Sequence, residues 1–501
     1  MSVNEVPPGR RVARLSVLTI ALAGFTLVLM LLGGWIASRT APGDDVGYLP
    51  LGSDASVPSL SVILAAGAAA TGCIVGLTAL HAAAAMRVLS RDRRIPAPLP
   101  AHARQMRRLM LTPLGPKAVR LVTDEPDLPP SQLPAAGVAT AVPLRLTVLV
   151  PAHNERITIG ATLESLWTQT RPPQRVVVVA DNCTDDTADI ARRHGAEVFT
   201  TVANTDKKAG GLNQALADMF AEIDVRDVVM VMDADSVIVP EFLDTAMTRL
   251  EADADLIAVG GVFYGESGSG LVGQLQRNEY ARYGRSIGRR RGKVFVLTGT
   301  ASLFRAYALK AVADSRGSLI PGNPGQVYDT LAMTEDNELT LALKSLGAKM
   351  ISPMQCRVTT ELMPTWRALW RQRMRWQRGA LENIGAYGLT RATLRYWLQQ
   401  LGIGYGAIAL NVYLLLMLIT LLSAGGFELV WFWTVAGAIF VVERVVTVWS
   451  AGWRGRALAL PLALEVGYDV MLQAVYVKSL FDIVTGSSAG WNYVPREAVA
   501  Q

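Results

Sequence analysis

The sequence predicts an α/β domain with a doubly wound, mostly parallel sheet, embedded between transmembrane α-helices. Three observations predict it. Long, nearly uncharged apolar runs are confined to the two ends of the chain, short valine-rich runs alternate with helically spaced segments in the middle, and acidic clusters directly follow those short runs. Composition agrees: 51% of the 501 residues are hydrophobic, 18% are charged, and the mean hydropathy is +0.28. Soluble domains carry roughly 25% charged residues, so a disordered chain is excluded and a purely soluble enzyme disfavoured.

About 20 apolar residues cross a bilayer. Residues 15–38 and 57–86 meet that length, and 401–422, 429–449 and 457–481 follow near the other end. Glu443 and Arg444 in the fourth run, and Glu465, Asp469 and Lys478 in the fifth, are costly in hydrocarbon and are expected to face helices or a polar cavity, with Glu443, Arg444, Glu465 and Asp469 as candidates to line a polar path for the product. For the last run, an interfacial helix is the alternative. Arg10, Arg11 and Arg14 precede the first run, and nine Lys/Arg against one acid occupy 87–120. Both segments therefore belong inside, while 39–56, with Asp44, Asp45 and Asp54, belongs outside. The net charge of +6 (48 basic, 42 acidic) thus reads as orientation signal and contact with the lipid bilayer, with no nucleic-acid partner. Cys73, Cys183 and Cys356 are too few and too far apart for a disulfide framework, which suits a domain facing the cytoplasm across the plasma (inner) membrane. The expected organisation is an N-terminal membrane region 1–90, a basic and proline-rich linker 91–143, a catalytic domain 144–363, amphipathic interface helices 364–396, three membrane helices over 397–485, and a tail 486–501.

In the middle, 146–150, 176–180 and 228–232 read as buried parallel strands and 197–200 as a short strand. Residues 157–167 and 188–194 have helical spacing between them. Ligands bind beyond the carboxyl ends of such strands. There the sequence places Pro151-Ala152-His153-Asn154-Glu155, then Asp181-Asn182-Cys183-Thr184-Asp185, then Asp233-Ala234-Asp235. Two carboxylates one residue apart can hold Mg²⁺ or Mn²⁺ against phosphates, although a lone pair of this kind is more often a solvated turn capping the next helix. Lys207 to Asn213, with two lysines and two glycines, reads as a flexible loop suited to a pyrophosphate. Glu335 and Asp336 open an expected helix over 337–346, where an acid is either a dipole partner or a general base. Gln372, Arg375 and Trp376 lie in an amphipathic, tryptophan-rich segment over 364–384. The glycine-rich stretches 268–273 and 288–293 fail as nucleotide fingerprints, lacking the ribose acid and the P-loop Ser/Thr.

The succession Pro151 to Glu155, Asp181 to Asp185, Lys208 to Asn213, Asp233 to Asp235, Thr334 to Asp336 and Gln372 to Trp376 resembles the membrane-embedded family-two glycosyltransferases, the hyaluronan, chitin, cellulose and poly-N-acetylglucosamine synthases. The resemblance implies a GT-A nucleotide-sugar fold and an inverting, metal-dependent transfer from a UDP-linked donor to a growing polysaccharide acceptor. It assigns Glu155, Asp181, Lys208 and Asp233 to the nucleotide, and Asp233 and Asp235 to Mg²⁺ or Mn²⁺. Asp336 becomes the catalytic base, with Glu335, Gln372, Arg375 and Trp376 at the acceptor and diphosphate. It further implies processive synthesis with export through the protein's own helices, with accessory export subunits as partners. Departures from the pattern are Cys183, Thr300-Ala301-Ser302 and the long insert 316–330.

Three other readings use the same residues differently. A transferase placing one sugar on a lipid carrier needs neither Gln372 to Trp376 nor a channel. A transporter or receptor with a nucleotide-sensing domain leaves Asp336 without a task, and a non-catalytic scaffold predicts no transfer at all.

Overall fold

A computed structural model of the chain describes residues 143–423 and 431–487, with positions 28, 48–50, 56–58, 76 and 111. The expected spans at 15–38 and 57–86, nearly all of the linker, and the tail beyond 487 lie outside the described residues. The chain divides into two compact units. One comprises Asp92–Thr393 with Glu443–Glu465 and Ala489–Gln501; the other comprises Met1–Arg91, Leu394–Val442 and Val466–Ser488.

The first unit is built on a seven-stranded sheet. β1 (Arg145–Ala152), β2 (Arg175–Ala180), β3 (Glu197–Thr200) and β4 (Asp227–Met232) run parallel, with β1 in the middle of that set. Their valine runs are buried on both faces, as parallel strands covered by helices require: Val148, Val150, Val178 and Met230 have no exposed surface. α1 (Ile159–Trp167) and α2 (Thr187–Arg193) make the crossovers. α3 (Lys207–Met219) leads into β4. The stretch Lys207 to Asn213, expected as a loop, is the opening of this helix. Gly210 and Gly211 serve close packing there, since a Cβ on Gly210 would lie 2.1 Å from Asn204 Oδ1.

Past β4, a two-residue strand, β5 (Val237–Ile238), and α4 (Phe242–Ala252) lead to β6 (Leu256–Gly260), β7 (Val262–Gly265) and the long helix α5 (Gly270–Arg289). β8 (Ala301–Arg305) returns antiparallel between β4 and β6, with Ala301 opposite Met232. After α6 (Ala306–Ser315) and α7 (Glu335–Leu346), β9 (Lys349–Ile351) completes the order β9-β6-β8-β4-β1-β2-β3. β10 (Arg357–Thr360) joins β5 and β7 in a three-stranded sheet. α8 (Trp366–Tyr387) is capped by Thr365, whose Oγ1 accepts from Ala368 N at 3.2 Å. It packs on α7 through Gly379, where a Cβ would stand 2.6 Å from Thr334 Oγ1.

Further on, α9 (Leu394–Ser423) covers the third expected span and α10 (Trp431–Thr447) most of the fourth. In the second unit, α9 is tied to α12 (Ala463–Thr485) by Asn411 Nδ2 donating to Gln473 Oε1 at 2.8 Å and Tyr476 Oη donating to Gln400 O at 3.1 Å. Among the described residues no single helix is long and apolar enough to cross a membrane. One bent pair, Trp449–Ala459 with Ala463–Thr485, reaches the required length and apolar composition only when its two helices are taken together, and they meet at 101°. The fifth expected run is therefore broken beside Pro461, with α11 (Gly452–Ala459) before the break. Glu465, expected to face helices or a polar cavity, lies fully buried against α5. It accepts from Asn278 Nδ2 at 2.8 Å and pairs with Arg282 of α5 at 2.6 Å.

Candidate active site

The adjacent strands β1, β2 and β4 end side by side, so their acidic clusters share one edge of the sheet. At the β2 end, Asp181 is buried, and its Oδ1 accepts from Thr201 Oγ1 at 2.9 Å, Asn204 Nδ2 at 2.8 Å and Asn182 Nδ2 at 3.1 Å. At the β1 end, Glu155 is half-buried, accepting from Thr158 Oγ1 at 2.9 Å. Asn154 and Asn182 sit at positive φ (58° and 50°), the left-handed turn geometry that asparagine tolerates. These turns face each other through Asn154 Oδ1, which accepts from Thr184 N at 2.8 Å. Cys183 Sγ donates to Ala152 O at 3.3 Å, and burial pushes its thiol above the ordinary value.

The charged centre is formed by α3, β4 and α7. Lys208 Nζ pairs with Asp233 Oδ1 at 2.5 Å and with Glu335 Oε1 at 3.0 Å. Burial opposes the ammonium charge, but Asp233, Glu335 and Asp336 outweigh it and hold the Lys208 pKa well above normal. Burial raises Asp233 to about 6, with Lys208 pulling down and neighbouring Asp235 pushing up. Burial also acts to raise Glu335, yet Lys208 and then Arg375 bring it below its ordinary value. Asp336 stands at about 6, raised by burial and by Glu335 against the pull of Lys208. Its Oδ2 accepts from Gly299 N at 3.0 Å and its Oδ1 from Asn337 N at 2.7 Å. Lys208, Gly299, Glu335, Asp336 and Tyr328 line one cavity at this point.

The structure thus joins Lys208, Asp233 and Glu335 directly, with Asp336 lining the same cavity, Asp235 beside them and Arg375 within electrostatic reach of Glu335. Asp181 and Glu155 belong to the same sheet edge; Asn204 links Asp181 to the start of α3, since its Nδ2 also donates to Lys207 O at 2.7 Å. Gln372 and Trp376 are organised by a residue the sequence reading missed. Buried Arg373 donates to Gln372 Oε1 at 2.5 Å, lies 4.3 Å from the Trp376 ring centroid, and pairs with Glu279 of α5 at 2.7 Å. Asn204, Asn213 and Tyr328 were missed as well.

No group of three or more His, Cys, Asp or Glu side chains able to hold a metal occurs among the described residues. Asp233 and Asp235 nevertheless fit a hard divalent cation whose remaining ligands are phosphate oxygens and water. They are two oxygen donors whose mutual repulsion a cation would relieve.

Residues 143–379 match the model of a family described as "Glycosyltransferase like family 2". The segment is a family-two glycosyltransferase domain. The chain is 29% identical over 252 residues to the "Probable glycosyltransferase YdaM" of Bacillus subtilis (strain 168), covering 47% of this chain and 55% of that one. It is 25% identical over 245 residues to the poly-beta-1,6-N-acetyl-D-glucosamine synthase of Staphylococcus aureus (strain COL), covering 48% and 55%. The match thus spans about half the length of these curated relatives. Among solved structures, it is similar to the mannosyltransferase PcManGT of Pyrobaculum calidifontis in complex with GDP-Man and Mn²⁺, at 17% identity and a TM-score of 0.44 over 83% of this chain and 99% of that one.

Proposed function

We propose that the chain is an inverting, metal-dependent membrane glycosyltransferase with its catalytic domain in the cytoplasm, at the plasma (inner) membrane. In this reading it moves a sugar from a UDP-linked donor to a hydroxyl of a growing polysaccharide, remains engaged with the product, and passes it outward through its own helices. Accessory export subunits belong to the same reading. The observation that carries it is the juxtaposition of Asp336 with Lys208, Asp233 and Glu335 at the strand ends. A relative named poly-beta-1,6-N-acetyl-D-glucosamine synthase and the Gln372 to Trp376 segment favour the polymerising form.

The chemistry follows from the side chains. Lys208, held charged by three acids, contacts the donor diphosphate, while Asp181 and Glu155 hold the nucleoside. Asp233 and Asp235 would hold Mg²⁺ or Mn²⁺, which neutralises charge on the departing diphosphate. Asp336, fixed by the Gly299 and Asn337 amides, takes the proton of the acceptor hydroxyl as that oxygen attacks the anomeric carbon from the face opposite the diphosphate. A carboxylate at about 6 is ionised at neutral pH and more basic than an ordinary aspartate. Gln372, Arg375 and Trp376 hold the acceptor end, with the indole face against a sugar ring.

The test is sugar incorporation by the purified chain in lipid from a panel of labelled nucleotide sugars, with the product sized on a gel. A large polymer supports the proposal. A small lipid-extractable product identifies single transfer to a lipid carrier, and no transfer from any donor refutes the enzyme reading.

A further inference from the structure

The insert 316–330 that departs from the family pattern is a strap with two anchors. Its start, Arg316, is fully buried and pairs with Glu338 of α7 through two bonds of 2.8 Å. The same guanidinium donates to the carbonyls of Pro321 (2.8 Å), Gln326 (2.9 Å) and Val327, so the loop is wound around its own arginine. At the other end, Asn213 of α3 grips the backbone of Tyr328 from both sides. Nδ2 donates to Tyr328 O at 2.8 Å, and Oδ1 accepts from Tyr328 N at 2.9 Å. Asn213 lies five residues after Lys208 on one helix, and Glu338 lies two residues after Asp336 on another. The strap therefore ties the lysine-bearing helix to the helix of the catalytic base and delivers one side chain between them.

That side chain is Tyr328. It is 3% exposed, lines the cavity with Lys208, Glu335 and Asp336, and its hydroxyl has no hydrogen-bond partner among the described residues. The phenol feels Lys208, Glu335, Asp336 and Asp233 together, which places its oxygen at the charged end of the cavity. Burial is the main force keeping it protonated there. The hydroxyl is not sealed off in the interior, so it is open to donate to a ligand that enters the cavity. A protonated phenol is a neutral donor, which suits the oxygen of a neutral hydrogen-bonding group. The diphosphate belongs with Lys208, and the phenol belongs with a polyol.

We infer that Tyr328 is a further substrate-binding residue of this site, donating its hydroxyl proton to a hydroxyl or amide oxygen of the donor's sugar ring. The strap anchored by Arg316 and Asn213 holds it in place. This rests on the nucleotide-sugar reading above and adds which part of the donor the insert senses.

The test compares the full chain with Tyr328→Phe in lipid, using UDP, the nucleotide sugar that the wild type turns over, and analogues of it lacking one ring substituent at a time. Tyr328→Phe keeps the ring and the fold, checked by an unchanged melting midpoint. The expected result is UDP binding within about twofold of wild type and kcat/KM for the donor lowered roughly 5- to 100-fold, the range for one buried polar group left unpaired. The wild type should discriminate against one analogue that the variant no longer distinguishes from the parent donor. Unchanged kcat/KM, unaltered discrimination against every analogue, or an equal loss of UDP affinity overturns the inference while leaving the enzyme reading intact. A wild type that turns over no donor overturns both.

Discussion

Arg316 and Glu338 form an ion pair in which neither side chain is solvated: 0% and 1% of their side-chain surfaces are exposed. Arg316→Met would remove a partner from a buried carboxylate that, among the described residues, keeps only the Tyr387 hydroxyl at 2.5 Å, and would strip a donor from three loop carbonyls. Breaking such a pair costs about 3–5 kcal/mol, because the surviving charge stays buried without compensation. At about 2.1 cal/mol/K of unfolding entropy per residue, each kcal/mol shifts the midpoint of a unit of this size by about 1.5 °C, so the drop should be roughly 4–8 °C. The assay is the melting midpoint of the purified full chain for Arg316→Met, Glu338→Leu and the double variant. The double variant removes both charges and should recover most of the loss. A single variant within about 2 °C of wild type, or a double variant no better than the worse single, would refute the assignment of the pair as the strap's anchor.

Other expectations follow from the same geometry. A base must be deprotonated, and Asp336 has a pKa raised to about 6 in the free protein; transfer should therefore be full above neutral pH and fall as pH drops through about 6, read as kcat/KM against pH. A limb near pH 4 would show an unperturbed carboxylate. Gly379→Ala places a methyl group 2.6 Å from Thr334 Oγ1 and should push α8 off the start of α7, lowering the midpoint by several degrees and transfer by more than tenfold. Asp235→Ala should abolish transfer at ordinary Mg²⁺ or Mn²⁺ levels, and chelator should do the same to wild type reversibly; chelator-resistant turnover would contradict the proposed metal.

The parallel half of the sheet was legible because its strands are buried on both faces and so carry uninterrupted valine runs. Expected 146–150 and 228–232 became Arg145–Ala152 and Asp227–Met232. β8 was not legible. Arg305 stands in it, made tolerable by donating to Leu256 O at 2.9 Å and Leu250 O at 2.8 Å, partners that only the folded chain supplies. The residues around Asp233 and Asp336 could be picked out because acids at strand and helix ends are local features. Lys208 was singled out, but its segment was misread, since two adjacent glycines ordinarily break a helix and here make room for Asn204. Tyr328, Asn213 and Arg373 act through contacts 94 to 115 residues away in the chain, a separation that no local pattern records.

The most direct measurement is polymer synthesis by the purified chain in lipid, wild type beside Asp336→Asn, across the panel of nucleotide sugars with Mg²⁺ or Mn²⁺. The account predicts a high-molecular-weight product from one donor and a loss of at least about a hundredfold in the variant, which keeps its melting midpoint and donor binding. Undiminished synthesis by Asp336→Asn, or no transfer by the wild type, would contradict it.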